Sequence, residues 1–289
     1  MPFITDILDA VYSLLVNPIN VEVLALQYTA AIRNMVVLNG INLNLNYLNF
    51  SGEVFGGIVK LSRTVVLPIG YAVLAYLMVL EIYTLYSKSE GMGGEGAIHM
   101  PLKIVIKIVL FKFIIDRTHD LLDAIYRLIL YIQNQTFSYT IEYTIPDNAV
   151  KHFVDHANSL DFLGKIMLFI EVNAYTLIST LSLVIIMIVA VARIFEIYIY
   201  LFIAPIPLAT LPGGELSHIG KNFLKSFTAI CMQGVILAII LFLYAQFASV
   251  FVVGSTLKDH FWKGITGVIL LTFCLFRSGK WARSICGAM

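Results

Sequence analysis

Residues 162–211 read FLGKIMLFIEVNAYTLISTLSLVIIMIVAVARIFEIYIYLFIAPIPLATL. At about 1.5 Å per residue, a helix through this run would be about 75 Å long, more than twice the roughly 30 Å of a hydrocarbon core. The chain must therefore break or emerge within it. The expected break is Ala204-Pro205-Ile206-Pro207, because proline lacks the backbone donor and pushes its predecessor toward extended conformation. The rest of the chain fits the same solvent. Its 289 residues are 59% hydrophobic and 13% charged, with a mean hydropathy of +0.87. A soluble domain carries roughly 45–50% apolar and about 25% charged residues. Nineteen Lys/Arg and 18 Asp/Glu cannot cover a soluble surface for a chain this apolar, and a net charge of +1 provides no basic footprint for nucleic acid. An ordinary cytosolic enzyme, a disordered protein and a nucleic-acid-binding domain are thereby excluded. The expected fold class is all-α: a polytopic transmembrane helix bundle of about five spans with a short amphipathic N-terminal region.

Upstream of that run, residues 64–86 form a first span, with Pro68 and Gly70 near its start and Glu81 near its end. Residues 102–133 carry a long helical pattern read as the second span. Downstream, the polar loop Pro212-Gly213-Gly214-Glu215 leads to an amphipathic helix at 216–227. Spans at 228–253 and 264–281 then follow. Residues 1–60 are expected to be an extramembrane, amphipathic region, and 61–289 a transmembrane helical domain. Within the former, 3–16 places Phe3, Ile4, Ile7, Leu8, Val11, Leu14 and Leu15 on one helical face. Asp6 and Asp9 stand where a secretory leader would carry Lys or Arg. With five spans and the N-terminus outside, nine Lys/Arg fall on the inner side and seven on the outer. The inner ones are about twice as dense, so the expected orientation is N-out and C-in. The three cysteines suit neither a disulfide framework nor a CxxC metal site.

An ionised side chain at mid-bilayer costs at least about 2.5–3.5 kcal/mol. The second span nevertheless places Lys112, Asp116, His119, Asp120, Asp123 and Arg127 within about a third of its circumference. Lys112 with Asp116 and Asp123 with Arg127 have i,i+4 spacing. Two readings of this stripe stand side by side: the lining of a lumen or subunit interface, or a segment simply solvated outside the bilayer. On the next helix Glu171, Tyr175, Ser182, Arg193, Glu196 and Tyr200 share a face, and Arg193 and Glu196 are spaced to pair. That pair reads as a structural clamp, a pore-facing pair, or an ion pair at the membrane edge.

Recognisable reaction chemistry is missing. His152 and His156 have HxxxH spacing, but Phe153 stands where a zinc protease needs its glutamate. GMGGEG at 91–96 matches the dinucleotide glycine pattern only in spacing, since it follows a membrane helix rather than a strand. His119-Asp120 lacks a nucleophile in a recognisable context. No enzymatic activity, cofactor or metal is expected.

The stretch 193–211, with Arg193, Glu196, Pro205 and Pro207, resembles the TrbL/VirB-type polytopic inner-membrane subunit of type IV secretion systems, in the form found on Gram-positive conjugative elements. Ile219-Gly220-Lys221-Asn222-Phe223, Val66-Leu67-Pro68-Ile69-Gly70 with Glu81, and the Lys-rich start of the second span extend the likeness over most of 60–250. The resemblance implies a multi-pass plasma-membrane subunit in the path of DNA–relaxase transfer. It implies self-association, as a ring-like homo-oligomer, beside a motor ATPase, a coupling-protein ATPase, small membrane subunits and a cell-wall hydrolase. It also implies contact with membrane lipid and with the translocating DNA–protein cargo. Arg193, Glu196, Pro205 and Pro207 carry over as structural positions. Two other functions compete with this one. A secondary transporter of a small solute would use the helix break as its binding site. A scaffold without a pore would only anchor the assembly.

Overall fold

The structure, a computed structural model, describes residues 21–27, 29, 52–89, 96–138, 147–252 and 257–288. The amphipathic helix expected at 3–16 lies outside them, as does 91–95 of the glycine-rich stretch. Among the described residues there is no strand. Beyond a helical turn at 21–27, the elements are α1 (Gly52–Leu61), a π-helical turn (Ser62–Val66), α2 (Leu67–Ser89), α3 (Gly96–Asp116), α4 (Thr118–Ser138), α5 (Asp147–Ser159), α6 (Phe162–Ile203), α7 (Pro205–Ala209), a 3₁₀ turn (Gly214–Leu216), α8 (Ser217–Val252) and α9 (Leu257–Cys286).

Among the described residues, four helical stretches are long and apolar enough to cross a bilayer: Glu53–Thr84, Phe162–Ile203, Gly214–Tyr244 and Trp262–Cys286. They make this an all-α, multi-pass membrane protein. The first begins upstream of residue 64, because α1, the π turn and α2 follow one another without a break. α6 runs 42 residues to Ile203, and Ala204 keeps helical dihedrals (φ −46°, ψ −39°) rather than the extended ones expected before proline, so α7 continues the same path through both prolines before the chain turns at 210–213. At about 63 Å, α6 is about twice as long as a hydrocarbon core is thick. The expected amphipathic helix at 216–227 and the span after it are one continuous helix, α8.

The expected second span differs from its sequence reading in two ways. It is two helices, α3 and α4, joined at Arg117, although backbone bonds carry through the joint (Arg117 N–H to Phe113 C=O, 3.1 Å; Leu121 N–H to Arg117 C=O, 2.9 Å). It is also not among the four apolar stretches, because Lys103, Lys107 and Lys112 fall within three turns of one another. α3 nonetheless runs back antiparallel along α2. Lys107 Nζ donates to Glu81 Oε1 at 2.7 Å, and Tyr71 donates its hydroxyl hydrogen to Asp116. The Lys107–Glu81 pair is only 31% and 23% exposed and neutralises α3's charge against the apolar wall of α2.

The chain divides into two compact units. The first comprises Met1–Leu43, Thr136–Val189 and Leu237–Phe276. There α6 buries Leu168, Val172, Tyr175, Ser179, Ser182 and Ile186, an alternating spacing of four and three residues that keeps one seam against its neighbour. Thr272 Oγ1 donates to Ser182 Oγ at 3.0 Å, and Gly264 leaves room for the Tyr175 ring. Residues 175 and 182 thus meet 264 and 272 in the same order, so α6 and α9 run parallel. Spans separated by one intervening crossing must do so. Outward from the seam, Leu163, Met167, Ile170, Leu177, Leu181 and Ile188 are exposed, the apolar face that hydrocarbon covers.

The second unit comprises Asn44–Gln135, Ala190–Ile236 and Arg277–Met289. Its core joins Leu122, Tyr126 and Ile129 of α4, Ile194, Ile197 and Leu201 of α6, and Phe227, Ile230 and Cys231 of α8. Phe55 and Ile58 of α1 pack against that core. A smaller cluster sets Leu74 and Met78 of α2, Ile115 of α3 and Ala209 of α7 together. Since lipid is as apolar as leucine, such packing rests on close approach of backbones at small residues. Gly220 is the tightest case against a main-chain atom: a Cβ there would lie 2.7 Å from the Pro207 carbonyl oxygen and 2.8 Å from the Leu211 side chain. Gly57 has nothing within 4 Å. Gly220→Ala is therefore expected to cost about 1–3 kcal/mol of stability, and Gly57→Ala to be neutral or to stabilise by up to about 1 kcal/mol through helix propensity. Thermal unfolding of the detergent-solubilised protein distinguishes the two.

Candidate functional site

The helix break at 204–207 organises the second unit. Ala204 N–H still bonds to Tyr200 C=O (3.0 Å), and Leu208 N–H to Ala204 C=O (3.2 Å). Between them Pro205 and Pro207 have no N–H, so the carbonyls of Leu201 and Ile203 lose their usual partners. Polar side chains from distant parts of the sequence gather at this level. Ser62 Oγ, on the π turn, donates to Phe202 C=O at 2.7 Å. The ring of His119, only 4% exposed, neighbours the Leu201 backbone carbonyl. Thr210 Oγ1 donates to Pro207 C=O (2.8 Å) and accepts the Gly220 N–H (3.0 Å), tying the start of α8 to the end of α7. Gly70 lets α2 approach the break, since a Cβ there would stand 2.9 Å from the Pro205 oxygen. Three stretches singled out in the sequence, 66–70, 204–207 and 219–223, are therefore one packed junction.

About three turns before the break lies Arg193, 3% exposed within a helix that spans hydrocarbon. Its Nη1 donates to Gln133 Oε1 at 3.4 Å, and its Nε has no hydrogen-bond partner among the described residues. The guanidinium lies against the bare Cα of Gly234 on α8, where a Cβ would collide with both Arg193 Nη1 and Gln133 Oε1. Tyr126 and Cys231 are its other polar neighbours. The expected Arg193–Glu196 pairing is absent: among the described residues no ion pair joins them. One hundred degrees per residue puts i and i+3 on the same face only loosely, and here Arg193 turns inward to α4 and α8. Glu196 instead lines a cavity of about 300 Å³ with Gln233, Gly279, Lys280 and Arg283. Pro205 and Pro207 are buried in the junction.

The six residues of the polar stripe separate. His119 points into the core. Lys112, Asp116, Asp120 and Arg127 are exposed. Asp123 is partly buried and accepts Arg127 Nε at 2.6 Å, as its spacing suggests. Lys112 and Asp116 do not pair among the described residues; Tyr71 takes Asp116 instead. Asp120 takes Arg117 Nη1 at 2.9 Å, a partner from outside the stripe. Other residues that matter here, Gln133, Gly234, Ser62 and Thr210, went unremarked in the sequence. Their only signal was a polar or small residue inside an apolar run.

The family model described as "TrbL/VirB6 plasmid conjugal transfer like protein" matches residues 43–205 of this chain. No curated protein and no solved structure matches it significantly. The matched stretch runs from before α1 to Pro205, and so takes in Ser62, Gly70, His119, Gln133 and Arg193.

The geometry assigns different weights to Arg193's two neighbours. Gln133→Leu removes the hydrogen bond that the buried guanidinium makes, at an expected cost of about 1.5–3 kcal/mol. Glu196→Gln leaves that contact intact and is expected to change stability by less than about 0.5 kcal/mol. Chemical or thermal unfolding in a fixed detergent, without added lipid, measures both.

Proposed function

Because this chain belongs to the TrbL/VirB6 plasmid conjugal transfer family and is a multi-pass plasma-membrane subunit, we propose that it forms part of the path by which a DNA–relaxase complex crosses the membrane. Copies of the chain associate as a ring-like homo-oligomer. The exposed residues of the stripe, Lys112, Asp116, Asp120 and Arg127, with the half-buried Asp123 beside them, face the lumen or the neighbouring copy. The subunit itself is passive: a motor ATPase and a coupling-protein ATPase supply work, and small membrane subunits and a cell-wall hydrolase complete the assembly around it.

One observation carries this reading. Most of the large exposed side chains are apolar and fit a lipid surface, yet α3 and α4 display a run of charges. The Arg117–Asp120 pair is 65% and 53% exposed, and Arg127 is 63% exposed. In hydrocarbon such charges cost several kcal/mol, so water or another protein surface covers them. The transporter reading draws less support. A broken helix that binds solute needs the backbone to come apart at the break, whereas Ala204 keeps helical dihedrals and the backbone bonding resumes at Leu208.

Asp116→Leu/Asp123→Leu tests the reading. The double variant is expected to reach the membrane at the wild-type level but to lower conjugation frequency by about an order of magnitude or more. Loss of charge pairs worth about 1.5 kcal/mol or more at an interface gives an effect of that size. Quantitative mating, with immunoblots of membrane fractions and native mass of the solubilised complex, reads it out. Wild-type transfer and wild-type oligomer mass together would remove the stripe from the path.

A further inference from the structure

The cavity beside Glu196 is built from three helices. Glu196 comes from α6, two turns before its end; Ala229, Ile230 and Gln233 from α8; and Gly279, Lys280 and Arg283 from the last turns of α9. Its volume of about 300 Å³ suits a polar headgroup rather than a whole lipid. Gln233 Nε2 donates to Ser278 Oγ at 3.2 Å, which fixes the amide at the wall. Gly279 lies beside that amide, and a Cβ there would stand 3.4 Å from Gln233 Nε2, in ordinary van der Waals contact.

Charge makes the cavity unusual. Lys280 and Arg283 are i,i+3 neighbours on α9 and point to the same side. Glu196 faces them, yet among the described residues none of the three makes an ion pair within 4.0 Å. Two cations and one carboxylate thus converge on an open volume without neutralising one another. The surroundings are those of a membrane border. Phe195 and Ile199 flank Glu196 on α6 and are 59% and 55% exposed. Trp281 lies between the two cations in sequence, partly exposed, as interfacial tryptophans are. Acyl chains have an apolar wall to lie along, and a headgroup has donors and an acceptor to meet.

We propose that this cavity is a phospholipid headgroup site, selective for lipids in which a phosphodiester is joined to hydrogen-bond donors, as in phosphatidylethanolamine and phosphatidylglycerol. The phosphate sits between Lys280 and Arg283, and Glu196 accepts from the headgroup's ammonium or hydroxyls. Phosphatidylcholine offers the same phosphate but no donor, and its quaternary ammonium leaves Glu196 unsatisfied. The inference rests on the cavity and on the membrane location, and it stands whether or not the stripe on α3 and α4 lines a path for DNA.

The test uses the full chain, delipidated in dodecyl maltoside. It is titrated separately with phosphatidylethanolamine, phosphatidylglycerol, phosphatidylcholine and inorganic phosphate, and bound lipid is counted by native mass spectrometry. The expected result is saturable binding of the first two lipids, weaker binding of phosphatidylcholine, and no competition by inorganic phosphate at matched concentration. Lys280→Gln/Arg283→Gln should weaken the lipid binding about thirtyfold, at roughly a tenfold or smaller factor per cation. Glu196→Gln, a change the fold tolerates, should retain phosphate-dependent binding but erase the preference over phosphatidylcholine. Equal binding of all three lipids to the wild type would overturn the proposal. So would unchanged binding in the double variant, or displacement of lipid by inorganic phosphate, which would mark a site for free anions. A double variant that elutes as aggregate leaves the decision to the Glu196→Gln comparison, where an unchanged preference overturns the assignment.

Discussion

Inside hydrocarbon there is no water to accept or donate a hydrogen bond, so each backbone group freed within a span needs a partner from the protein. The prolines at 205 and 207 free the carbonyls of Leu201 and Ile203, and polar side chains from elsewhere in the second unit collect at that level. Ser62 reaches the Phe202 carbonyl from a π turn, a geometry that moves a side chain off the ordinary helical face. His119 takes up the place beside Leu201 from the first turn of α4. Thr210 closes the far side by linking Pro207 to Gly220. The break is thus the point to which α1, α2, α4 and α8 are referred. The glycines at 70 and 220 are what let backbones come close enough for this to work.

The helices and the membrane environment were legible in the sequence because they follow from a one-dimensional quantity, apolar run length against bilayer thickness. The proline pair was legible as a place where two backbone bonds are lost, but not that Ala204 would keep helical dihedrals and the helix run on to Ala209. Arg193's partner was not legible. Its spacing to Glu196 is a local property, whereas its choice of Gln133 depends on α4 and α8 both presenting a small or polar residue at the same depth. Gln133 and Gly234 are about a hundred residues apart, and neither is notable alone. The stripe at 112–127 was legible as a periodicity, but periodicity does not say which side faces the core. His119 turned out to belong to the helix junction, and Asp116 to Tyr71.

Arg193 also shows how this protein handles a buried charge. One long hydrogen bond to a neutral amide does not offset the desolvation of a guanidinium, and an apolar side chain of similar length would fold as well or better. What the arginine does provide is register. Its head fits only where Gly234 leaves a gap and Gln133 presents an oxygen, so α4, α6 and α8 have one mutual alignment in which the charge is tolerable. A misaligned bundle would leave that charge against hydrocarbon.

The ionisable groups of the second unit therefore fall into two classes with different physical consequences. Lys107 with Glu81, Tyr71 with Asp116, and Arg193 with Gln133 tie one helix to another within a single chain. Arg117 with Asp120 and Arg127 with Asp123 are pairs within α4 or at its joint, largely exposed, and such pairs contribute about 0–1 kcal/mol when solvated. Facing lipid they would cost more than they contribute. The surface of α4 that carries them is therefore one that hydrocarbon does not cover, in contrast to the longer and more apolar outer face of α6.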